Sequence, residues 1–207
     1  MMLIPIKKIS LWGGVLLVAG MLLFTGCTPV KTATQEGGKT ESIVVINPET
    51  TAAAQKVLKF YQAVNLDMPR SQLESLLGVT GEVQSDGRVA YQDPQSDYGV
   101  LIKYGEDDMV FAKQLLFSEK SPELVALNPF LVTDKQAYRM AAGMPFYEVQ
   151  DVMGSDGIEI SLSKPETGTT KQVIGLGWFN SDGSKAIVYL NLPKGEVISS
   201  EFLTSES

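Results

Sequence analysis

Apolar and polar side chains alternate along much of the chain, in short runs that Gly, Pro, Asp and Asn interrupt. Alternation with a period of two predicts strands that bury one face. Such runs cover residues 82–85, 88–92, 98–104, 109–117, 158–163, 172–179, 185–192 and 196–203. Turn residues separate them, for example Ser85-Asp86-Gly87 and Ser181-Asp182-Gly183. Each group of four runs therefore predicts an antiparallel meander.

A pair of helices is predicted before each meander. Residues 50–64 and 134–142 have a helical spacing of apolar positions, with Thr50 and Thr133 as expected N-caps. A second, short helix is predicted in each group between a Met-Pro pair and a glycine, and proline at a helix start and glycine after its end are typical of helix termini. The chain is therefore predicted to be an α+β protein.

The two groups also match each other when the chain is shifted by 76 residues. Met68-Pro69 then falls on Met144-Pro145. The helix residues that follow match in type: Leu73, Leu76, Leu77 and Gly78 fall on Val149, Val152, Met153 and Gly154. Chance similarity between two short helices is the alternative. We expect two tandem helix-helix-meander repeats, at 50–117 and 133–207, joined by a connector at 118–132; the second has an insertion of about a dozen residues around 164–170.

The N-terminus has a different pattern. Lys7 and Lys8 precede an apolar run from Ile9 to Phe24, and Thr25-Gly26 leads to Cys27, the single cysteine of the chain. This resembles a bacterial lipoprotein signal, which implies cleavage after residue 26 and lipid attachment, including palmitate, at Cys27. An uncleaved membrane anchor and an ordinary secretory signal are the alternatives. Lipidation implies an anchored protein at the cell membrane or outer membrane, with its folded part outside the cytoplasm.

Residues 27–49 are predicted to be a flexible tether, because Thr, Lys, Glu, Gly and Gln dominate them. The apolar segment 43–46 is the exception: it is either a short strand that docks on the domain, which we favour, or an apolar patch within the tether. Of the charged side chains only Lys7 and Lys8 precede Cys27, so 15 basic and 24 acidic ones remain, a net charge of −9. This balance argues against binding to nucleic acid.

Histidine is absent, and no cysteine remains after Cys27. Nucleophile designs that need a histidine base are therefore excluded, as are thiolate metal sites. We expect no catalysis, no cofactor and no metal. The run Glu106-Asp107-Asp108 lacks the spacing of a calcium loop and is interpreted as a hairpin turn.

The segments 142–154 and 178–184 resemble the helix opening and the hairpin of the beta-lactamase-inhibitor-protein-like (BLIP-like) repeat. The segment 66–78 is similar, with Asp67 in place of the usual glycine. The resemblance implies one curved sheet formed by both repeats, with the helices on its back, and a relation in fold to small outer-membrane assembly lipoproteins. Asp97-Tyr98 resembles the acidic-aromatic pair of the inhibitors. This chain lacks their cysteine pairs, so inhibition of a beta-lactamase is not implied.

Alternation also assigns candidate binding residues to the face of the sheet away from the helices. These are Leu101, Lys103, Ile187 and Tyr189, with ordinary half-buried sheet positions as the alternative. Trp178 shares a face with Ile174 and Leu176, which favours the core, but tryptophan is also a frequent interface anchor, so we keep it as a candidate. Asp97, Asp86 and Asp182 are also consistent with plain turn residues.

The leading hypothesis is a membrane-anchored surface lipoprotein whose non-catalytic domain binds another envelope or secreted protein. An assembly or structural lipoprotein of a larger envelope complex is the alternative. An enzyme that cleaves cell-wall glycan with two carboxylates is a third, less favoured because no Asp or Glu pair lies in an apolar sequence context.

Overall fold

A computed structural model of the protein describes residues 52–118, 121–128, 130–165 and 171–205, which all belong to one compact unit, Lys39–Ser207. The helices are α1 (Ala52–Ala63), α2 (Arg70–Leu77), α3 (Pro122–Leu127), α4 (Asp134–Tyr138) and α5 (Phe146–Met153). The strands are β1 (Glu82–Val83), β2 (Val89–Gln92), β3 (Gly99–Tyr104), β4 (Val110–Leu116), β5 (Ile158–Ser163), β6 (Gln172–Phe179), β7 (Lys185–Leu192) and β8 (Glu196–Leu203). Cys27, the tether at 27–49 and the N-cap at Thr50 lie outside the described residues.

The strands form a single eight-stranded antiparallel sheet in the order β1-β2-β3-β4-β5-β6-β7-β8. The α+β class and the antiparallel meander are therefore confirmed. The two groups of strands join where Ala112 to Gln114 of β4 pair with Ser161 to Ser163 of β5. One sheet thus runs through both halves of the described chain.

The four strands of the second group have the predicted bounds, and those of the first group are shorter by one or two residues at their ends. The segment 118–132, expected to be a connector, contains α3. Pro122 is its first residue. Proline is tolerated there because the N–H group that it lacks would have no partner within the helix. Pro69 and Pro145 precede the first turns of α2 and α5 as N-caps, whereas we expected them at the first helical position.

Local signals explain where the short helices begin and end. Thr133 caps α4 as predicted, because its side chain accepts a hydrogen bond from the Gln136 N–H and the Gln136 side chain accepts one from the Thr133 N–H. Gly78 and Gly154 end α2 and α5 in the left-handed conformation, with φ of 68° and 79°. Helix α4 ends at Tyr138, four residues before the predicted end.

The sheet has two faces, which we name the helix face and the open face. Residues paired across strands share a face, so register connects Lys113, Leu162, Ile174 and Leu190 in one row of the helix face. Lys113 donates from Nζ to the carbonyls of Tyr61 and Val64 at the end of α1, at 3.2 and 3.0 Å. Burial is the main reason that the pKa of Lys113 is lowered, while Glu159 acts in the opposite direction.

The same type of contact joins β8 to α4. Ser200 lies on the helix face, and its hydroxyl donates to the Ala137 carbonyl at 2.8 Å. Lys113 contacts the carbonyl of Tyr61, and Ala137 lies 76 positions after Tyr61 in the chain. Both contacts give a side-chain donor to a carbonyl near the end of a helix, where the regular helical hydrogen bonds stop.

Backbone contacts before α2 and α5 also correspond. The Asp67 N–H donates to the Val110 carbonyl at 3.0 Å, and the Gly143 N–H donates to the Val197 carbonyl at 2.8 Å. Each valine donates its own N–H to the methionine that follows Asp67 or Gly143, at 2.9 and 2.8 Å. Asp67 and Gly143 have positive φ, 65° and 85°, so this aspartate adopts the conformation that a glycine adopts in the second group.

Candidate functional site

The open face contains one row that crosses all eight strands. Register pairs Glu82, Ala90, Leu101, Gln114, Ser161, Gly175, Tyr189 and Ser199 in that order. Leu101 and Tyr189 are thus in the same row, four strands apart, or about 19 Å at the usual strand spacing. The side chains between them at Ser161 and Gly175 are small. Small side chains flanked by larger ones leave a hollow on the sheet surface.

This hollow is a cavity of about 250 Å³. Its walls come from β3 to β7 and from the residue before β2, and they include Arg88, Leu101, Lys103, Ala112, Gln114, Ser161, Ser163, Val173 and Tyr189. Lys103 and Tyr189, two of the predicted surface residues, therefore line one cavity that spans both groups of strands. Leu101 also lines it, but as a buried side chain that is only 9% exposed.

The apolar floor of the cavity has charged and hydrogen-bonding groups at its edge. Lys103 is exposed, and its Nζ lies 5.3 Å from the centre of the Phe111 ring. Within the described ranges no carboxylate forms an ion pair with Lys103. Arg88 pairs with Asp86 at 2.6 Å and donates to the Gln114 side chain at 2.8 Å. The cavity therefore has a free positive charge on one side.

Tyr189 forms the other side of the cavity. Its ring lies over Gly175, where an added Cβ would come within 3.2 Å of the ring and 2.2 Å of the Ser161 hydroxyl. The Tyr189 hydroxyl donates to Glu201 at 3.3 Å. Burial is the main cause of the raised pKa of Tyr189, and Glu201 adds to it, so the hydroxyl remains a hydrogen-bond donor at neutral pH. Ile187 is wrong as a surface candidate: it lies on the same face but is only 7% exposed, because it packs in the hydrophobic cluster that also contains side chains of α1 and α3.

Tyr98 is placed in the core, contrary to its assignment as a surface candidate. It is 3% exposed, and its hydroxyl donates to Glu123 of α3 at 2.6 Å. Burial and Glu123 together raise the pKa of Tyr98 to about 12. Asp97, two residues before β3, is exposed, so the acidic-aromatic pair does not present both side chains to solvent.

Trp178 is also wrong as a binding-surface candidate. Its side chain is fully buried on the helix face, where its indole N–H donates to the Ser155 hydroxyl at 3.0 Å. That hydroxyl in turn donates to the Asn128 side chain at 2.7 Å. The alternation with Ile174 and Leu176 gave the correct face, and the helices cover it.

The sequence pattern within single strands did not indicate Gln114, Ser161 and Ser163, which line the cavity. Their small or polar side chains give no signal within one strand. They become neighbours only when β4 pairs with β5, and the sequence does not reveal that pairing. In the expected loop at 164–171, Lys164 forms an ion pair with Asp67. Residues 166–170 of this loop lie outside the described ranges.

Three aspartates of the described chain accept backbone hydrogen bonds in tight turns. Asp86 accepts a hydrogen bond from the Arg88 N–H and Asp182 one from the Ser184 N–H, each two residues along its hairpin. Asp107 does the same for Met109 at the tip of the β3–β4 hairpin. No group of three metal-binding side chains occurs in the described parts of the chain. Nor does any helix described there have the length and apolar character to cross a membrane.

Comparison with protein-family models and with curated protein sequences found no match.

Proposed function

We propose that this chain is a lipoprotein anchored through Cys27, whose domain binds a partner protein on the open face and has no catalytic role of its own. The observation that carries the proposal is the cavity between Lys103 and Tyr189. It joins strands from both halves of the chain into one surface. The partner is an envelope or secreted protein, because the anchor would hold the domain outside the cytoplasm.

The described halves are two BLIP-like repeats in this proposal, and their strands form one curved sheet. Three matched features support the repeat: the left-handed glycines after α2 and α5, the paired backbone contacts of Val110 and Val197, and the contacts of Lys113 and Ser200 with the preceding helix. Local sequence similarity of two helices by chance would not produce the same contacts between distant elements.

A protein partner fits the chemistry of the open face. Interface centres combine apolar and aromatic anchors with a polar rim. Leu101, Val173 and the Tyr189 ring supply the apolar centre, and Lys103 and Arg88 supply the rim. A tyrosine held by packing and a hydrogen bond loses little conformational entropy on binding, which is why such residues dominate binding energy.

Charge reversal at the cavity provides a matched test. Photocrosslinking from position 112, on intact cells, would first identify the partner. Lys103→Glu and Tyr189→Ala are each expected to weaken binding of that purified partner by about 30-fold or more, as for a centrally placed anchor. Lys135→Glu on exposed α4 makes the same charge change away from the open face and is expected to leave affinity unchanged. Equal affinities for all three variants would contradict the proposal.

The anchor is tested separately. Cys27→Ser is expected to abolish labelling by radioactive palmitate. Cys27→Ala should behave in the same way, because both lack the thiol that forms the thioether. Continued labelling of either variant would place the lipid elsewhere and remove this part of the proposal.

A further inference from the structure

The open face has another, larger cavity beside the one between Lys103 and Tyr189. Its volume is about 540 Å³, and it lies over the strands of the first group. We name it the second cavity and the one described above the first cavity. Arg88 and Leu101 line both of them. A protein that binds over the first cavity therefore also reaches the second.

Two glutamines of the second cavity have amide oxygens that are free to accept hydrogen bonds. Gln84 donates from Nε2 to the Glu82 carbonyl at 3.1 Å. Gln92 donates from Nε2 to the carbonyls of Ser96 and Tyr98, both at 3.1 Å. Because a carbonyl oxygen only accepts, these contacts fix which end of each amide is the nitrogen. Among the described residues no donor reaches Oε1 of either glutamine, so both oxygens are available to a ligand.

The second cavity also has a carboxylate without a counter-ion. Glu82 is exposed on β1, at the end of the row that crosses the open face. In the part of the chain that the structure describes, no lysine or arginine pairs with it. Arg88 does not supply this charge, because it pairs with Asp86 at 2.6 Å and donates to Gln114. The two cavities therefore differ in sign: the second offers acceptors and a free carboxylate, and the first offers the ammonium of Lys103.

Apolar side chains complete the second cavity. Ala90, Leu101 and Leu116 line it from β2, β3 and β4. A ligand with an aliphatic stem and a cationic head would contact these residues and the acceptors together. Long basic side chains have this build, since their methylene groups pack on apolar surface while the charge stays at a polar edge.

We propose that the second cavity binds an arginine side chain of the partner protein. Its guanidinium pairs with Glu82, its remaining N–H groups meet the amide oxygens of the wall, and its stem lies along Leu101 and Leu116. Arginine fits better than lysine, because its planar head has five N–H donors and is more weakly hydrated than an ammonium. Arginine is also enriched at interfaces, where lysine is depleted. The proposal rests on the proposed function, which assigns the open face to a protein partner.

Photocrosslinking from position 90 identifies what lies over the second cavity. Ala90 lines that cavity and is half-buried, so a crosslinker there reaches a bound segment. The experiment uses the full chain on intact cells, as for position 112, and mass spectrometry then sequences the crosslinked peptide. We expect the same partner protein from both positions, with an arginine among the residues next to the crosslink at position 90.

Charge reversal at Glu82 measures the contact itself. Glu82→Arg is expected to weaken binding of the purified partner by about 10-fold or more, because repulsion replaces a charge-assisted hydrogen bond. Glu82→Gln keeps an acceptor without the charge and should lose less. Asp151→Arg, exposed on α5, makes the same charge change away from the open face and should leave affinity unchanged. Changing the partner's arginine to glutamate should restore binding to Glu82→Arg, which a general effect on folding would not do.

The outcomes separate this proposal from the proposed function. If Lys103→Glu weakens binding while Glu82→Arg does not, the partner binds the open face but the arginine assignment is overturned. A crosslinked segment without arginine, or tighter binding by Glu82→Arg, overturns the assignment in the same way. If no protein crosslinks from position 90 or from position 112, both the assignment and the proposed function are overturned.

Discussion

At the scale of single residues, the Glu123 carboxylate connects a helix and the sheet. It accepts hydrogen bonds from Lys56 of α1 and from Tyr98 next to β3, each at 2.6 Å. Lys56 is the first cause and Tyr98 the second of a lowered pKa, which falls to about 2. The Glu123 side chain of α3 therefore links α1 to the sheet.

The lowered pKa sets a pH dependence with a definite sign. In the unfolded chain Glu123 takes up its proton near its ordinary pKa of 4.5, so the stability from its ionised form is fully present above that pH. It is lost as the pH falls from about 4.5 to about 2. We expect Glu123→Gln to lower the free energy of unfolding by about 1 kcal/mol at pH 7, because Lys56 is half exposed and screened.

Urea unfolding of wild type and Glu123→Gln at several pH values measures this effect. The difference between them should shrink toward pH 2. Glu106→Gln, in an exposed hairpin turn, is the control and should change stability by less than about 0.5 kcal/mol. A Glu123→Gln difference that stays constant from pH 7 to pH 2 would show that the carboxylate charge is not the cause.

At the residue scale, the sequence indicated on which face of the sheet a side chain lies. It did not indicate whether other segments bury that side chain. The period of two placed Leu101, Lys103 and Tyr189 on the open face. It could not show that α3 lies over Tyr98 or that the helix face is closed over Trp178, because cover comes from segments distant in sequence. Alternation itself places Tyr98 with Val100 and Ile102 on the helix face, so its assignment to the surface came only from the resemblance to the acidic-aromatic pair.

At the scale of elements, α4 depends on its N-terminal cap. It has five residues, fewer than an isolated helix needs, so propensity alone would not form it. We expect Thr133→Ala to destabilise the protein by about 1 kcal/mol, because the Gln136 N–H loses its acceptor. Thr133→Asp keeps an acceptor at the same position and should retain most of the stability. Thermal unfolding of both variants checks this, and equal losses for Ala and Asp would contradict the role of the cap.

Element prediction was accurate where local rules decide the structure. Each strand of the second group has turn residues on both sides and a clear alternation, and its bounds were found from the sequence. Helix α3 was missed because Pro122 and the proline at 129 were interpreted as marks of a connector. Proline is compatible with the first turn of a helix, and the packing of Leu124 into the core is what selects the helix here.

At the scale of the whole molecule, the larger hydrophobic cluster crosses the boundary between the two groups of strands. It combines side chains of α1, β2, β3 and α3 with Ile158, Ile160, Phe179 and Ile187 of the second group. Phe117 and Phe179 meet edge to face with ring centres 5.3 Å apart. Neither half can therefore lose its structure without exposing apolar surface of the other.

Shared packing predicts one cooperative unfolding transition for the described chain. Ile160 is 3% exposed, and Ile160→Ala should lower the free energy of unfolding by about 2–5 kcal/mol through lost burial and the cavity left behind. Because Ile160 contacts the shared cluster, amides of β3 and β7 should lose protection from hydrogen exchange at the same, lower urea concentration. If the halves unfolded independently, two transitions would appear, and Ile160→Ala would lower the urea midpoint only of the transition of β5 to β8. Ile198→Ala, at a position 44% exposed, is the control and should move neither set of amides by a comparable amount.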